Sequence, residues 1–92
     1  MIGKELKDFG AVHKSEHASI VHLELKKDAT IPSHNHEGRE IFFVVVKGSV
    51  EVYLNAEETH VAEPGKIISF DGKNFISAKA LEDSEIFVFL VK

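Results

Sequence analysis

His34 and His36 carry the most chemically specific spacing in this chain, and Glu40 follows closely. The stretch reads Pro32-Ser33-His34-Asn35-His36-Glu37-Gly38-Arg39-Glu40 and runs into Ile41-Phe42-Phe43-Val44-Val45-Val46. On an extended segment side chains alternate with period two, so the two imidazoles point the same way. A carboxylate just past a short connection can return to that side. Two imidazoles and one carboxylate suit a first-row transition metal with open coordination positions. His34, His36 and Glu40 are therefore the candidate metal ligands, and His60 in Glu58-Thr59-His60-Val61 is a substitute if it faces inward.

Three further residues are candidates for a pocket. Arg39 is the single arginine, beside the histidine pair. Its planar fork can hold a carboxylate through two parallel hydrogen bonds, or it can pair with Glu37 or Glu40. Tyr53 can line a cavity, or it can pack against the barrel with its hydroxyl at the rim. Ile76 is the third. His22 falls on the polar phase of its segment, with Glu24, and reads as exposed or as a neighbour of the mouth. His13 and His17 lie in a polar leading stretch and read as solvated.

The elements that must position these groups are short strands. Val21, Leu23 and Leu25 alternate with His22 and Glu24; Val50, Val52 and Leu54 alternate with Glu51, Tyr53 and Asn55. Both patterns are those of half-buried strands. Ile41–Val46 and Ile86–Val91 are apolar on both phases and rich in β-branched and aromatic residues, as central strands are. Ile67–Phe70 and Phe75–Leu81 make two more. Lys47-Gly48-Ser49 is short enough for a hairpin, and Pro64-Gly65 and Asp71-Gly72 punctuate the rest. No stretch has a helical period. The expectation is an all-β sandwich or barrel over residues 19–92, with residues 1–18 as an arm or edge strand.

Composition narrows the partners. Ninety-two residues make one domain with a modest core. The formal charge is −4, and no basic run stands out beyond Lys26-Lys27, so nucleic acid is not an expected partner. No apolar run approaches the roughly 18 residues of a membrane-spanning helix. The N-terminal residues have no apolar core of signal-peptide length. There is no cysteine, which excludes disulfides and thiolate chemistry and fits a reducing compartment. A cytoplasmic protein with no membrane partner is the expectation. No serine–histidine nucleophile and no phosphate-binding glycine loop is present.

The order of these features resembles the cupin superfamily, whose members are small jelly-roll β-barrels. That family's first motif is glycine, five residues, His-x-His, three or four residues, Glu, six residues, glycine. His34, His36, Glu40 and Gly48 answer to it here. Its second motif is glycine, five residues, Pro-x-Gly, two residues, His, three residues, Asn; Pro64-Gly65 stands at that point in the order of motifs. The resemblance covers roughly residues 20–92. It implies an all-β cupin-type jelly roll with a metal or small-molecule site at the barrel mouth.

Two departures bear on that site. Counting from Gly65 without gaps puts the family's third histidine on Ile76, whereas aligning at Gly72 puts it on Phe75. With Ile76 inward, Ala78 and Ala80 also face in; with Phe75 inward, Ser77 and Lys79 would follow, and an inward lysine is costly. In the first motif, seven residues rather than six separate Glu40 from Gly48. Counting back from Gly48 puts Ile41 at the ligand position. A bulge in the following strand would instead keep Glu40 there.

Three functions follow. One is a small-molecule-binding cupin with a weakened or absent metal site, its pocket lined by His34, His36 and apolar residues including Ile76. The other is a metal-dependent enzyme, dioxygenase- or isomerase-like, with Fe, Mn, Ni or Zn held by His34, His36 and Glu40. A structural dimer without a ligand is a third. The outward phase of Ile86–Val91 needs cover that a barrel this small does not supply. A homodimer packed sheet against sheet would provide it, as the resemblance also implies.

Overall fold

The alternating segments become strands in the computed structural model, which describes residues 2–92. Nine strands run in chain order: β1 (Gly10–Lys14), β2 (Ala18–Leu25), β3 (Thr30–His34), β4 (Glu40–Lys47), β5 (Val50–Leu54), β6 (Glu58–Ala62), β7 (Ile67–Asp71), β8 (Ile76–Ala80) and β9 (Ser84–Val91). All pairings are antiparallel. One sheet has the order β1-β2-β9-β4-β7 and the other β3-β8-β5-β6. There is no helix among the described residues. The two sheets face each other as a jelly roll, as the all-β reading anticipates.

The core comes from the inward phase of each strand. Ile41, Phe43 and Val45 of β4 are almost fully buried, as are Val50 and Val52 of β5 and Ile86 of β9. On β8 the buried phase is Ile76, Ala78 and Ala80, while Phe75 just before it is half exposed. Alanines at two of those three positions let the sheets approach closely. Burying a Val, Ile or Phe side chain is worth roughly 1.5–3 kcal/mol, so this phase dictates register.

Two glycines fix the loops at the ends of the barrel. Gly48, at φ +93, turns the β4–β5 hairpin against the chain at Asp83 and Ser84, where a Cβ would overlap backbone. Ser84 is itself buried and accepts from the Ser49 amide at 3.0 Å. At the opposite end Gly72 lies against the turn that follows His36. A Cβ there would collide with the carbonyl oxygens of His36 and Arg39. The same glycine binds that turn: its carbonyl accepts from His36 N at 2.8 Å, and its amide donates to Arg39 O at 2.7 Å.

Candidate ligand site at the barrel mouth

β3 ends at His34, and His36 stands in the connection to β4 that Gly72 holds in place. Both imidazoles line one cavity of about 240 Å³ between the sheets. Their ring centroids are 4.8 Å apart, edge to face. The rest of the wall is apolar. Val21 and Leu23 come from β2 and Ile31 from β3. Phe43 closes one side, Ile76 another, and Val88 and Leu90 complete it from β9. Among the described residues, the two histidines are thus the only polar side chains in the lining.

The electrostatics of the pair are asymmetric. His34 Nδ1 donates to the Pro32 carbonyl at 2.8 Å, which leaves Nε2 as the free nitrogen. His36 is held below the ordinary imidazole pKa of 6.5, by burial first and then by the neighbouring positive charges of His34 and Arg39. It therefore favours the neutral ring near neutral pH, with one donor and one acceptor to offer.

The remaining candidates divide. Ile76 lies directly opposite His34 in the β3–β8 pairing and is 5% exposed, so it forms the wall beside the pair. Glu40 does not join the histidines. It opens β4 on the exposed phase, opposite Asp71 and Val91, and lines an outer cleft with Glu37, Arg39 and Lys73. Ile41 takes the inward position, 1% exposed. The extra residue of this strand is absorbed by an irregularity between Val45 and Lys47, which leaves Val46 exposed. The irregularity exists, yet the carboxylate stays outside. An uncompensated charge is costly to bury, and Ile41 continues the apolar phase of Phe43 and Val45.

His60 sits on the inward phase of the edge strand β6, opposite Val52, but lies away from the cavity with Nε2 bound to Glu58 at 2.7 Å. Tyr53 is on the outward phase of β5, where its hydroxyl donates to Glu51 and raises its own pKa above 10. Arg39 borders the outer cleft, and its Nη1 is buried without a hydrogen-bond partner among the described residues.

The donors present do not fit a resident transition metal. Two imidazoles converge, and the positions where the resemblance expects a carboxylate and a third imidazole hold Ile41 and Ile76. No group of three or more His, Cys, Asp or Glu side chains able to hold a metal occurs among the described residues.

Sequence reasoning also misplaced one histidine. His22 is buried at 3% exposure, not exposed, on the outer face of the five-stranded sheet and away from the mouth. The polar alternation of β2 was real, but residues 7–9 fold over that face. Only the aromatic Phe9 near the start of the chain hinted at such a cover.

Comparison with known proteins matches this architecture. No curated protein matches the chain. Among solved structures it is similar to KdgF from Halomonas sp., at 26% identity over 89% of this chain and 76% of that one, with a TM-score of 0.77. An RmlC-like cupin from Desulfovibrio desulfuricans is 21% identical over 99% and 91% of the two chains, with a TM-score of 0.81. The cupin domain of Schizosaccharomyces pombe Cnp3 shares the fold at 20% identity, over 91% of this chain and 63% of that one, with a TM-score of 0.79. The family model for the cupin domain matches residues 21–91, so with its jelly roll and its two-histidine mouth the chain belongs to the cupin domain family.

Proposed function

We propose that this cupin binds a small, mostly apolar molecule at the barrel mouth and holds its single polar group with His34 and His36. The observation that carries the reading is the cavity itself: an apolar wall closed by Ile76, with two imidazoles as its only polar side chains among the described residues. At about 240 Å³ it is smaller than the roughly 300–1,000 Å³ of ordinary ligand pockets, so the occupant is small. A carboxylate is the favoured polar group. Arg39 adds positive charge close enough to depress His36, and its Nη1 has no hydrogen-bond partner among the described residues. Fe, Mn, Ni or Zn would meet only the two imidazoles and would bind weakly.

The test is a fragment titration followed by amide and histidine ring shifts in NMR. Hexanoate and hexanol differ only in the polar end. Binding should perturb Val21, Ile31, Ile76 and both histidines. Hexanoate should bind more tightly than hexanol, and Arg39→Gln should remove that difference. No perturbation by either compound at millimolar concentration would defeat the ligand-binding reading. Stoichiometric metal that survives purification and is lost in His34→Ala/His36→Ala would favour the metal enzyme instead.

The outward phase of the large sheet supports a homodimer. Ile20, Phe89 and Phe42 form one cross-strand row, with Phe87 and Val44 beside it. Sedimentation at micromolar concentration tests this, with Phe89→Glu expected to convert a dimer to a monomer. A wild-type monomer would overturn it.

A further inference from the structure

We propose that His22 is a protonation-gated pin that holds residues 7–9 against the outer face of the five-stranded sheet and releases them when its ring loses a proton. The pin is separate from the mouth and does not depend on what the cavity binds. Its ring is enclosed on four sides. Phe87 stacks on one face at 4.2 Å between centroids and 15° between planes. Phe9 stacks on the other at 4.5 Å and 29°. In the ring plane Nε2 lies 2.6 Å from Glu85 Oε2, and Nδ1 lies 3.0 Å from the Asp8 carbonyl oxygen.

Both in-plane partners are acceptors. A carboxylate and a carbonyl have no proton to give, and a neutral imidazole has only one N–H. The observed geometry satisfies both contacts only when the ring is the imidazolium. A cation between two aromatic faces is favoured further. Loss of one proton leaves a nitrogen lone pair facing an oxygen lone pair. The Glu85 contact joins two strands already zipped along β2 and β9. The Asp8 contact joins the sheet to a segment outside any strand, so that is the one to open.

Little else holds this segment. Leu6 is 37% exposed and Phe9 57%, so the arm buries little apolar surface. Its attachment rests on the ring it covers. The other charged groups around His22 are few. Glu24 lies two residues along the same face of β2, and Lys47 of β4 stands opposite Glu85. The arm brings Lys7 and Asp8. On β1 the residue opposite His22 is Gly10, with His13 and Lys14 further along.

Burial by itself pushes the ring toward neutrality. The Glu85 hydrogen bond, the Asp8 carbonyl, the Glu85 charge and the Lys7 carbonyl outweigh it, and the net direction is upward from 6.5. The folded chain thus keeps a proton that the unfolded chain has released. The stabilisation is complete below pH 6.5 and is lost as pH rises through the folded-state pKa.

The chain has no tryptophan, so Phe9→Trp gives a single reporter on the arm. Its fluorescence is titrated from about pH 5.5 to about pH 9.5, bracketing the ordinary imidazole value. The expected result is one transition with a midpoint above 6.5, a red shift on the alkaline side and unchanged far-ultraviolet circular dichroism. Glu85→Gln should move the midpoint down, and His22→Phe should abolish the transition. Amide exchange at residues 8–10 of the unsubstituted protein should accelerate, beyond its intrinsic pH dependence, through the same midpoint. Absence of a transition overturns the proposal. So does a transition that persists in His22→Phe, or one that coincides with global unfolding. If His22→Phe does not fold, a midpoint unmoved by Glu85→Gln is sufficient to overturn it.

Discussion

Replacing Ile76 by histidine should make the stability of this protein depend on metal. Ile76 is 5% exposed, and its cross-strand partners are His34 on one side and Leu54 on the other. Directly opposed residues have Cβ atoms about 4.5–5.5 Å apart, so an imidazole at this position would stand beside His34. Without metal the substitution removes buried apolar surface. Full burial of an isoleucine is worth roughly 1.5–3 kcal/mol, and one side of Ile76 already faces the cavity, so the loss is about 2 kcal/mol. In a domain of this size that lowers Tm by roughly 8–16 °C. With metal the three imidazoles form a site that only the folded chain presents. At a free concentration about 100 times Kd, binding returns about 2.7 kcal/mol, enough to cancel the loss. Thermal melts of Ile76→His and wild type in EDTA and in zinc chloride, at a pH of about 7.5 where histidine is largely neutral, measure both terms. The variant should melt well below wild type in EDTA and close to it in zinc. A zinc-induced shift no larger in the variant than in wild type would refute the placement of residue 76 beside the pair.

Three other outcomes are expected. Gly72→Ala should destabilise by at least about 1–3 kcal/mol, because its Cβ meets the His36 and Arg39 carbonyls; denaturant midpoints measure this, and histidine ring shifts should show His36 displaced. Glu40→Gln should change stability by no more than about 0.5 kcal/mol and leave metal affinity unchanged, because the side chain is exposed on the far phase of β4; calorimetry with zinc checks the second point. His36 resists protonation in the folded chain, so the unfolded chain takes up its proton first as pH falls below 6.5. Stability should drop through that window, and His36→Gln should lose less between about pH 7 and about pH 5 in urea titrations.

Much of the fold was legible in the sequence. Alternation in Val21–Leu25 and Val50–Leu54 is a local property, and so are the turn residues at Gly48 and Asp71-Gly72. The choice of Ile76 over Phe75 also followed from local patterning, since the inward phase carries Ala78 and Ala80 and the other carries Lys79. The likeness of the two motifs to the cupin pattern supplied the expectation of a jelly roll, and the strand order within each sheet came from the structure. Less legible was the carboxylate. Seven residues between Glu40 and Gly48 fitted two registers, and nothing in the stretch itself chose between them.

The chain's own pattern therefore determined an all-β barrel, a mouth carrying His34 and His36, and an isoleucine where a third imidazole would stand. These depend on side chains within a few residues of one another, whose alternation sets which face they take. Tertiary structure decided the rest. Pairing with β7 and β9 turned Glu40 outward and Ile41 inward. For His22, the partners that allow a polar ring to be buried lie 14 residues back at Asp8 and 63 residues on at Glu85. A contact between groups so far apart leaves no periodic trace, because it is the folded sheet, and not the local chain, that brings them together.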